Sequence, residues 1–116
     1  MSGSFRDLIV WQRAMDLAVE VYRLAKILPA DERFALIDQM RRSAVSIPSN
    51  IAEGQGRNSP GEFRHHLGIA RGSLLELETH IDLCLRIAYL TKDDTTTCAL
   101  LLDETRRMLS ALINKI

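Results

Sequence analysis

The feature that most constrains the fold is a run of apolar residues at helical spacing in the second half of the chain. These residues follow one another at alternating steps of four and three. They are Phe63, Leu67, Ala70, Leu74, Leu77, Ile81, Cys84 and Ala88. This spacing is typical of a helix that packs one face against partner helices. We expect the helix to reach about Leu90 and to be the longest in the chain. Ser59-Pro60-Gly61-Glu62, just before the run, has the form of a capping box and marks its start.

Three further helices are predicted from the same periodicity and from capping residues. The first begins after a cap at Asp7 and runs to about Leu28, and the second begins near Glu32. The fourth occupies roughly residues 95 to 114, after a cap formed by Thr91 with Asp94. No alternating strand pattern is present. The sequence therefore predicts an all-α fold, an up-down-up-down antiparallel four-helix bundle that forms a single domain over residues 1–116.

The first helix has an unusually wide apolar face. At 100° per residue its apolar positions cover about half of the circumference, whereas a helix that faces one core needs a narrower stripe. The positions are Val10, Trp11, Ala14, Met15, Leu17, Ala18, Val21, Tyr22, Leu24, Ala25 and Leu28. The surplus indicates either a second buried contact, such as one with another subunit, or a helix buried deep within its own bundle.

The second helix contains a proline, Pro48, within its periodic pattern. That pattern consists of Phe34, Ile37, Met40, Ala44, Ile47 and Ile51. Proline has no N–H and leaves the carbonyl of Ala44 without its helical donor. Because the periodicity continues, we expect a kinked helix in which Ser46, Ser49 or Asn50 helps to satisfy the freed backbone groups. A break at Ile47 is the alternative. Gly54 and Gly56 are expected to end the helix.

Charge and composition narrow the class of protein. The formal net charge is zero, but Gln39–Gly72 has five basic against two acidic residues and Ser73–Glu104 has two against seven. Neutrality argues against bulk electrostatic attraction to nucleic acid or to anionic lipid. The sequence shows no secretory signal and no apolar run long enough to span a bilayer. We therefore expect a cytoplasmic protein that does not bind membranes, with Cys84 and Cys98 reduced.

Three stretches resemble one bacterial family. They are FRDLIVWQ (residues 5–12), QMRRSAVSIPSNIAEG (39–54) and ARGSLLELET (70–79). They are similar to the four-helix-bundle proteins encoded in intervening sequences of large-subunit ribosomal RNA genes. The resemblance implies a left-handed bundle, a homo-oligomer that forms a pentameric ring, and no established enzymatic activity. The family is also similar to the accessory protein of diversity-generating retroelements, a strongly basic ring that works with nucleic acid.

Polar residues of two of these stretches form the first candidate site. They are Gln39, Arg42, Ser46, Asn50, Glu53, Arg71, Ser73, Glu76 and Glu78. We interpret them as a hydrogen-bond network that fixes the register of the second and third helices, which small residues such as Ser43, Ala44, Ala70 and Gly72 would allow to approach closely. A ligand-binding or catalytic site is the alternative. No nucleophile–base pair is apparent in the sequence, which favours the structural interpretation.

Basic residues around the turn between the second and third helices form the second candidate site. They are Arg41, Arg57, Arg64, His65, His66 and Arg71. In a ring, each subunit would repeat this patch, so that many weak contacts with the phosphates of RNA or DNA would act together. The alternative is an ordinary solvated helix end, with Arg71 paired to Glu76 or Glu78. No aromatic side chain for base stacking accompanies the patch apart from Phe63, which the periodicity places in the core.

Two further patterns carry weaker indications. Glu62-Phe-Arg-His65 matches one E-x-x-H element of a di-iron bundle, but such sites need two of these elements and two more glutamates. Cys84 and Cys98 lie at similar distances along the sequence from the turn between the last two helices, so they could face one another, and we interpret them as buried apolar thiols. A redox pair is the alternative.

From the sequence we therefore expect a non-enzymatic, homo-oligomeric scaffold, with a weak RNA- or DNA-binding module as the second hypothesis. We expect no cofactor, no metal and no small-molecule substrate. The first two helices, together with Gln39–Gly54, would set the subunit geometry.

Overall fold

A computed structural model describes residues 4–116 of the protein, and that part of the chain contains four α-helices and no strand. The start of the predicted domain, residues 1–3, lies outside the described residues. The helices are α1 (Ile9–Ala25), α2 (Leu36–Gln55), α3 (Pro60–Arg86) and α4 (Lys92–Lys115). Short 3-10 turns, Phe5–Asp7 and Ala30–Glu32, precede α1 and α2. As predicted, α3 is the longest helix, with 27 residues.

The helices pack as an antiparallel four-helix bundle, which confirms the predicted fold class. Each helix contacts the next one in sequence, α1 also contacts α4, and the contact between α2 and α3 is the most extensive. An ion pair between Arg13 and Glu104 lies near the start of α1, and a bond from Arg23 to the backbone carbonyl of Asp94 lies near its end. Because residue numbers rise along α1 as they fall along α4, these two helices run in opposite directions. The α1–α2 and α3–α4 pairs form opposite sides of the bundle.

Aliphatic side chains from all four helices fill one core. The apolar stripe of α3 is buried from Leu67 to Cys84, as the periodicity predicts, and Phe63 is half-buried. Ala88 is instead exposed, because α3 ends at Arg86 and not near Leu90. The predicted C-terminal end of α3 was wrong because a periodic apolar pattern does not show where a helix ends.

A left-handed residue ends α3. Ala88 has a φ of 64°. The N–H of Tyr89 donates to the carbonyl of Cys84 at 2.9 Å, and the N–H of Ala88 donates to that of Leu85 at 3.2 Å. This is the bonding pattern of a Schellman motif, in which the left-handed position is usually glycine. The turn then brings Leu90 back into the core.

The caps predicted for α3 and α4 are present. The hydroxyl of Ser59 accepts a bond from the N–H of Glu62 at 3.1 Å. Thr91 and Asp94 form a full capping box, with each side chain accepting from the other residue's N–H. Helix α4 therefore begins at Lys92, directly after the cap. The cap expected at Asp7 is not used for α1, because Asp7 belongs to a 3-10 turn that Ser4 caps.

The second helix begins later than predicted. Residues 30–32 form a 3-10 turn, and the backbone at Ala35 is not helical, so α2 starts at Leu36. Phe34 therefore precedes the helix and is 87% exposed, with the Arg33 guanidinium 5.5 Å from its ring centre. The prediction that Phe34 belongs to the core was wrong because helical periodicity does not apply outside the helix.

Helix α2 continues through Pro48, so a break at Ile47 is excluded. Pro48 is buried. Close to it, the Asn50 side-chain amide donates to the Ser46 carbonyl at 2.9 Å. A polar side chain thus bonds the backbone next to the proline, although it bonds a different carbonyl from that of Ala44.

Glycine at position 54 serves close packing and does not end α2. A Cβ placed on Gly54 would lie 2.8 Å from the Cβ of His66 and 3.0 Å from Cδ1 of Phe63. The helix continues to Gln55, and Gly56 follows it. Gly72, which the sequence suggested for close approach, is exposed and has open space where a side chain would be. The prediction that α2 and α3 approach each other closely is correct, but the glycine at the close contact is Gly54 and not Gly72.

Candidate functional site

Four polar side chains join α2 to α3 along their shared boundary. The hydroxyls of Ser46 and Ser73 lie 2.7 Å apart. The Asn50 amide donates to the Ser46 hydroxyl at 3.1 Å, and its carbonyl oxygen lies 3.2 Å from Nδ1 of His66. All four residues are partly buried. We call this group the polar seam (Ser46, Asn50, His66 and Ser73).

The other residues predicted for this network lie apart from the seam. Gln39, Arg42, Arg71 and Glu76 are exposed, and Glu78 is half-buried at the boundary of α3 with α4. Within residues 4–116, no ion pair joins Arg71 to Glu76 or Glu78. Glu53 is exposed and pairs with Arg57. Of the nine predicted residues, Ser46, Asn50 and Ser73 are therefore the ones joined by hydrogen bonds in the seam.

A buried histidine extends the contact between α2 and α3. The side chain of His80 lies with Nδ1 3.5 Å from the hydroxyl of Ser43 and Nε2 3.9 Å from the carboxylate of Glu76. This order resembles a serine–histidine–carboxylate triad. However, Ser43 and His80 are both buried, and the Ser43 hydroxyl donates to the carbonyl of Met40. A substrate could not reach that hydroxyl, so the arrangement links the two helices.

Sequence reasoning missed His80 and assigned His66 to the basic patch alone. A signal was nevertheless present, because His66, Ser73 and His80 follow one another at steps of seven. Residues at that step lie on one side of a packed helix. A polar stripe along α3, opposite the serines of α2, could therefore have been found.

The basic residues of the second candidate site do not form one patch. Arg57 is engaged by two carboxylates, that of Glu53 at 2.7 Å and that of Glu62 at 3.6 Å. The hydrogen bond from Arg57, together with the nearby charge of His66, lowers the pKa of Glu53 below its ordinary value. His65 lies beside His66, with ring centres 5.6 Å apart.

Two exposed arginines of that set form no ion pair within the described residues. Arg64 and Arg71 lie seven residues apart on α3, and neither takes part in an ion pair within residues 4–116. Arg41 lies elsewhere, at the boundary of α2 with α1, where its guanidinium stacks 5.1 Å from the ring centre of Tyr22. The structure therefore separates Arg41 from the basic residues near the turn.

An apolar groove runs between α1 and α2. It has a volume of about 340 Å³. The residues that line it are Trp11, Met15, Ala18, Val45, Pro48, Ser49 and Ala52. Met15 is 40% exposed and Val45 is 43% exposed. The wide apolar face of α1 is thus not fully buried within its own bundle, and its surplus side chains form one wall of this groove.

The groove continues into a cationic pocket. Val45 also lines this second cavity, together with Tyr22, Arg41 and Arg42. Nε of Arg41 is buried and has no hydrogen-bond partner within residues 4–116. Buried polar atoms are rarely left without a partner in folded proteins. We call the apolar groove and the cationic pocket together the α1–α2 face.

A different groove lies on the opposite side of the bundle, between α3 and α4. It has a volume of about 240 Å³. Its charged lining consists of the carboxylates of Glu78, Asp82 and Asp103 and the side chain of Arg106, and its apolar lining includes Leu85 and Leu102. Of the three carboxylates, only that of Asp103 is held by ion pairs in the described part of the chain, with Arg106 and Arg107. We call this groove the acidic groove.

The two cysteines are free and buried. Sγ of Cys84 lies 3.9 Å from the sulfur of Met40 on α2. Burial raises the pKa of Cys84 to about 11 and that of Cys98 to about 12. Both thiols are therefore protonated at neutral pH, which suits the interpretation of inert apolar side chains.

The E-x-x-H element does not belong to a metal-ligand cluster. Across residues 4–116, no group of three or more His, Cys, Asp or Glu side chains could hold a metal ion. The carboxylate of Glu62 instead lies 3.6 Å from the guanidinium of Arg57. Within the same range, no helix is long and apolar enough to cross a bilayer.

Comparison with known proteins assigns the chain to a family. The structure is similar to the crystal structure of a protein of unknown function from the S23 ribosomal protein family of Bacteroides thetaiotaomicron. The TM-score is 0.82 at 28% sequence identity, covering 90% of this chain and 97% of the other. The comparison with curated proteins found no match. Residues 6–111 match the family described as 23S rRNA-intervening sequence protein. Together with the four-helix bundle, this match shows that the chain belongs to the 23S rRNA-intervening sequence protein family.

Proposed function

We propose that the protein is a non-enzymatic helical-bundle scaffold that assembles with copies of itself through the α1–α2 face. The observation that carries this proposal is the apolar groove, in which side chains from both helices are left partly exposed. Trp11, Met15, Val45 and Ala52 lie together there. Contiguous apolar surface of this kind is typical of an interaction site.

The free-energy gain favours assembly through this face. Complete burial of a large aliphatic or aromatic side chain is worth roughly 1.5–3 kcal/mol. Met15, Val45 and Tyr22 each have about 40% of their surface still available. Covering several such side chains at once would offset part of the entropic cost of association. The wide apolar face of α1 is then explained by two contacts, one with its own core and one with a neighbouring subunit.

The polar contacts between α2 and α3 support a structural role for those residues. Ser46 bonds to Ser73, and Asn50 bonds to His66, so these side chains satisfy one another across the two helices. A satisfied network of this kind fixes the register of packed helices. In the proposed scaffold the polar seam holds the subunit in shape, and the α1–α2 face makes the contact with the next subunit.

The size and location of the assembly are also part of the proposal. The resemblance to ring-forming relatives favours a pentamer. The two unpaired cysteines support a cytoplasmic location, because structural disulfides are characteristic of oxidising compartments.

A Met15→Glu substitution tests the proposal. It places a charge in the apolar groove and keeps a residue that favours a helix. We expect the mass in solution, measured by light scattering after size-exclusion chromatography, to fall to that of a single chain. Ile69→Glu is the matched control, because Ile69 is equally exposed, at 40%, and lies outside the groove. We expect this variant to assemble like the wild type. Loss of assembly in both variants, or in neither, would contradict the role of this face.

A nucleic-acid-binding function is the second candidate, and the observation that favours it is the pair Arg64 and Arg71 on α3. Both are exposed and without an ion pair within residues 4–116, so they could contact phosphates. Retention of the protein on RNA should then fall as salt increases and be weaker in an Arg64→Ala/Arg71→Ala variant. Arg106→Ala is a suitable control, since Arg106 is engaged by Asp103. Absence of any retention at low salt would exclude this candidate.

A further inference from the structure

We infer that the cationic pocket binds a phosphoryl group, either inorganic phosphate or the phosphate of a small monoester. Arg41 and Arg42 would bind the phosphoryl oxygens, and the hydroxyl of Tyr22 would donate a further hydrogen bond. The inference goes beyond the proposed scaffold. The apolar groove carries the proposed contact between copies, whereas the ligand site is the pocket beside that groove.

The pocket has an excess of unpaired positive charge. It is a concave site with a volume of about 530 Å³. Two guanidinium groups, from Arg41 and Arg42, and one carboxylate, from Asp38, line it. Neither arginine forms an ion pair within residues 4–116, although Asp38 lies one helical turn before Arg42 on α2. The pocket therefore offers two cations to an anion from solution.

Stacking orients the Arg41 guanidinium without using its terminal donors. The guanidinium carbon lies 5.1 Å from the ring centre of Tyr22. Nε is buried and takes no part in the proposed site, whereas the two terminal amino groups are accessible to solvent and have no hydrogen-bond partner in the described part of the chain. A side chain that is already ordered loses less conformational entropy when a ligand binds. Arg41 is thus prepared to bind an anion through its terminal amino groups.

The chemistry of the lining favours a phosphoryl group over a singly charged anion. A guanidinium presents paired N–H donors that match two oxygens of a phosphate. A phosphate monoester carries about 1.5 to 2 negative charges at pH 7, which matches the two guanidinium groups. Val45, which is 43% exposed, and the ring of Tyr22 also line the pocket, so they offer apolar contact to the organic part of a monoester.

A nucleic-acid strand fits this pocket less well. Binding of a polyanion depends on several cations that follow the strand. Here two cations lie in one cavity beside a carboxylate, and the chain as a whole has a formal net charge of zero. The pocket therefore suits a single phosphoryl group.

A titration of the ¹⁵N-labelled wild-type protein with inorganic phosphate, followed by NMR, tests the inference. Chloride is exchanged for phosphate at constant ionic strength. We expect saturable shifts of the amide signals of Tyr22, Arg41 and Arg42. A parallel titration with phenyl phosphate separates the two sources of the phosphoryl group. Tighter binding of phenyl phosphate would identify a monoester as the ligand, and equal or weaker binding would identify free phosphate.

Substitutions in the pocket should change the affinity for phosphate in opposite directions. Arg42→Gln should weaken binding roughly tenfold or more, because a charged hydrogen-bond donor is lost. Asp38→Asn should strengthen it by up to about fivefold, because it removes the carboxylate of the lining. Arg86→Gln is the matched control, since Arg86 is an exposed arginine at the end of α3, outside the pocket. Its affinity should equal that of the wild type, and circular dichroism shows whether each variant retains the helical fold.

Three results would overturn the inference. The first is the absence of saturable shifts with either phosphate compound. The second is equal weakening by Arg42→Gln and Arg86→Gln, which would show an effect of net charge alone. The third is binding of a short RNA at Arg41 and Arg42 without binding of phosphate.

Light scattering on the same samples separates this inference from the proposed function. A wild-type protein that binds phosphate as a single chain would contradict the proposed assembly and leave the phosphate site intact. A wild-type protein that assembles but does not bind phosphate would contradict the phosphate site and leave the assembly intact.

Discussion

At the scale of single residues, Gly54 and Ala88 are the positions where backbone and packing restrict the side chain most clearly. Gly54 lies where α2 approaches Phe63 and His66 too closely for any side chain. Ala88 occupies a left-handed conformation that is usually reserved for glycine. The two positions therefore make opposite predictions for exchanges between glycine and alanine.

Gly54→Ala should destabilise the protein. The added methyl group would overlap side chains of α3, and overpacking of this kind costs about 1–3 kcal/mol. Chemical denaturation followed by circular dichroism, at one fixed protein concentration, measures the change. Gly72→Ala is the matched control, because Gly72 is an exposed helical position with open space around it. There we expect a gain of roughly 0.5–1 kcal/mol from helix propensity. Equal effects of the two substitutions would show that α2 and α3 are not in close contact at Gly54.

Ala88→Gly should stabilise the protein. Alanine has a steric cost of roughly 1–2 kcal/mol in the left-handed conformation, which the substitution by glycine removes. Part of this gain in stability is offset because glycine is more flexible in the unfolded chain. We expect a net increase of about 0.5–1 kcal/mol in the free energy of unfolding. Ala99→Gly, within α4, should have the opposite sign, since Ala99 is an ordinary exposed helical residue. Destabilisation by Ala88→Gly would contradict the Schellman motif at the end of α3.

At the scale of helices, the pairing of α2 with α3 depends on small residues and on the polar seam. Ser43 and Ala44 on α2 and Ala70 on α3 are buried, so the two backbones can approach each other. The seam then supplies directional bonds along the boundary. Because the bonds join specific positions on the two helices, we expect them to favour one register over its neighbours.

A double-mutant cycle on Asn50 and His66 measures that contribution. We expect each alanine substitution to destabilise the protein, and the pair to show a coupling energy of about 1 kcal/mol, because the bond between them is lost only once. Gln39→Ala is the control, since Gln39 is an exposed amide on the same helix. Its effect should stay within about 0.5 kcal/mol. Additive effects of Asn50→Ala and His66→Ala would mean that the seam does not couple the helices.

Much of the helix arrangement could be predicted from the sequence. The stripe of α3 from Leu67 to Cys84 and the caps at Ser59 and Thr91 are local signals, since each depends on neighbours within a few residues. The errors have a common cause. Phe34 and Ala88 continue an apolar pattern beyond the points where the backbone leaves the helix, and those points depend on tertiary packing.

The candidate site was less accessible to sequence reasoning. A list of polar residues cannot show which of them face each other across two helices. For this reason the sequence-based network includes Gln39 and Arg42 together with Ser46, although Gln39 and Arg42 are exposed in the structure. Likewise, the groove on the α1–α2 face combines residues from two distant segments. The width of the apolar face of α1 indicates either a second contact or deep burial in the bundle, and the structure was needed to show that Met15 and Tyr22 on this face are left partly exposed.

At the scale of the whole molecule, the bundle has two opposite sides of different character. One side presents an apolar groove beside Arg41 and Arg42, and the other presents a groove lined mainly by carboxylates, including those of Glu78 and Asp82. The core and the polar seam hold the helices together, and in the proposed assembly the α1–α2 face makes the contact between copies.

The measurement that tests this account most directly is the mass of the intact protein in solution at micromolar concentration. Light scattering should give a defined multiple of the 13.1 kDa chain, with five copies expected from the resemblance to ring-forming relatives. A mass of 13.1 kDa that does not change with protein concentration would contradict the central claim that the α1–α2 face joins copies of this chain.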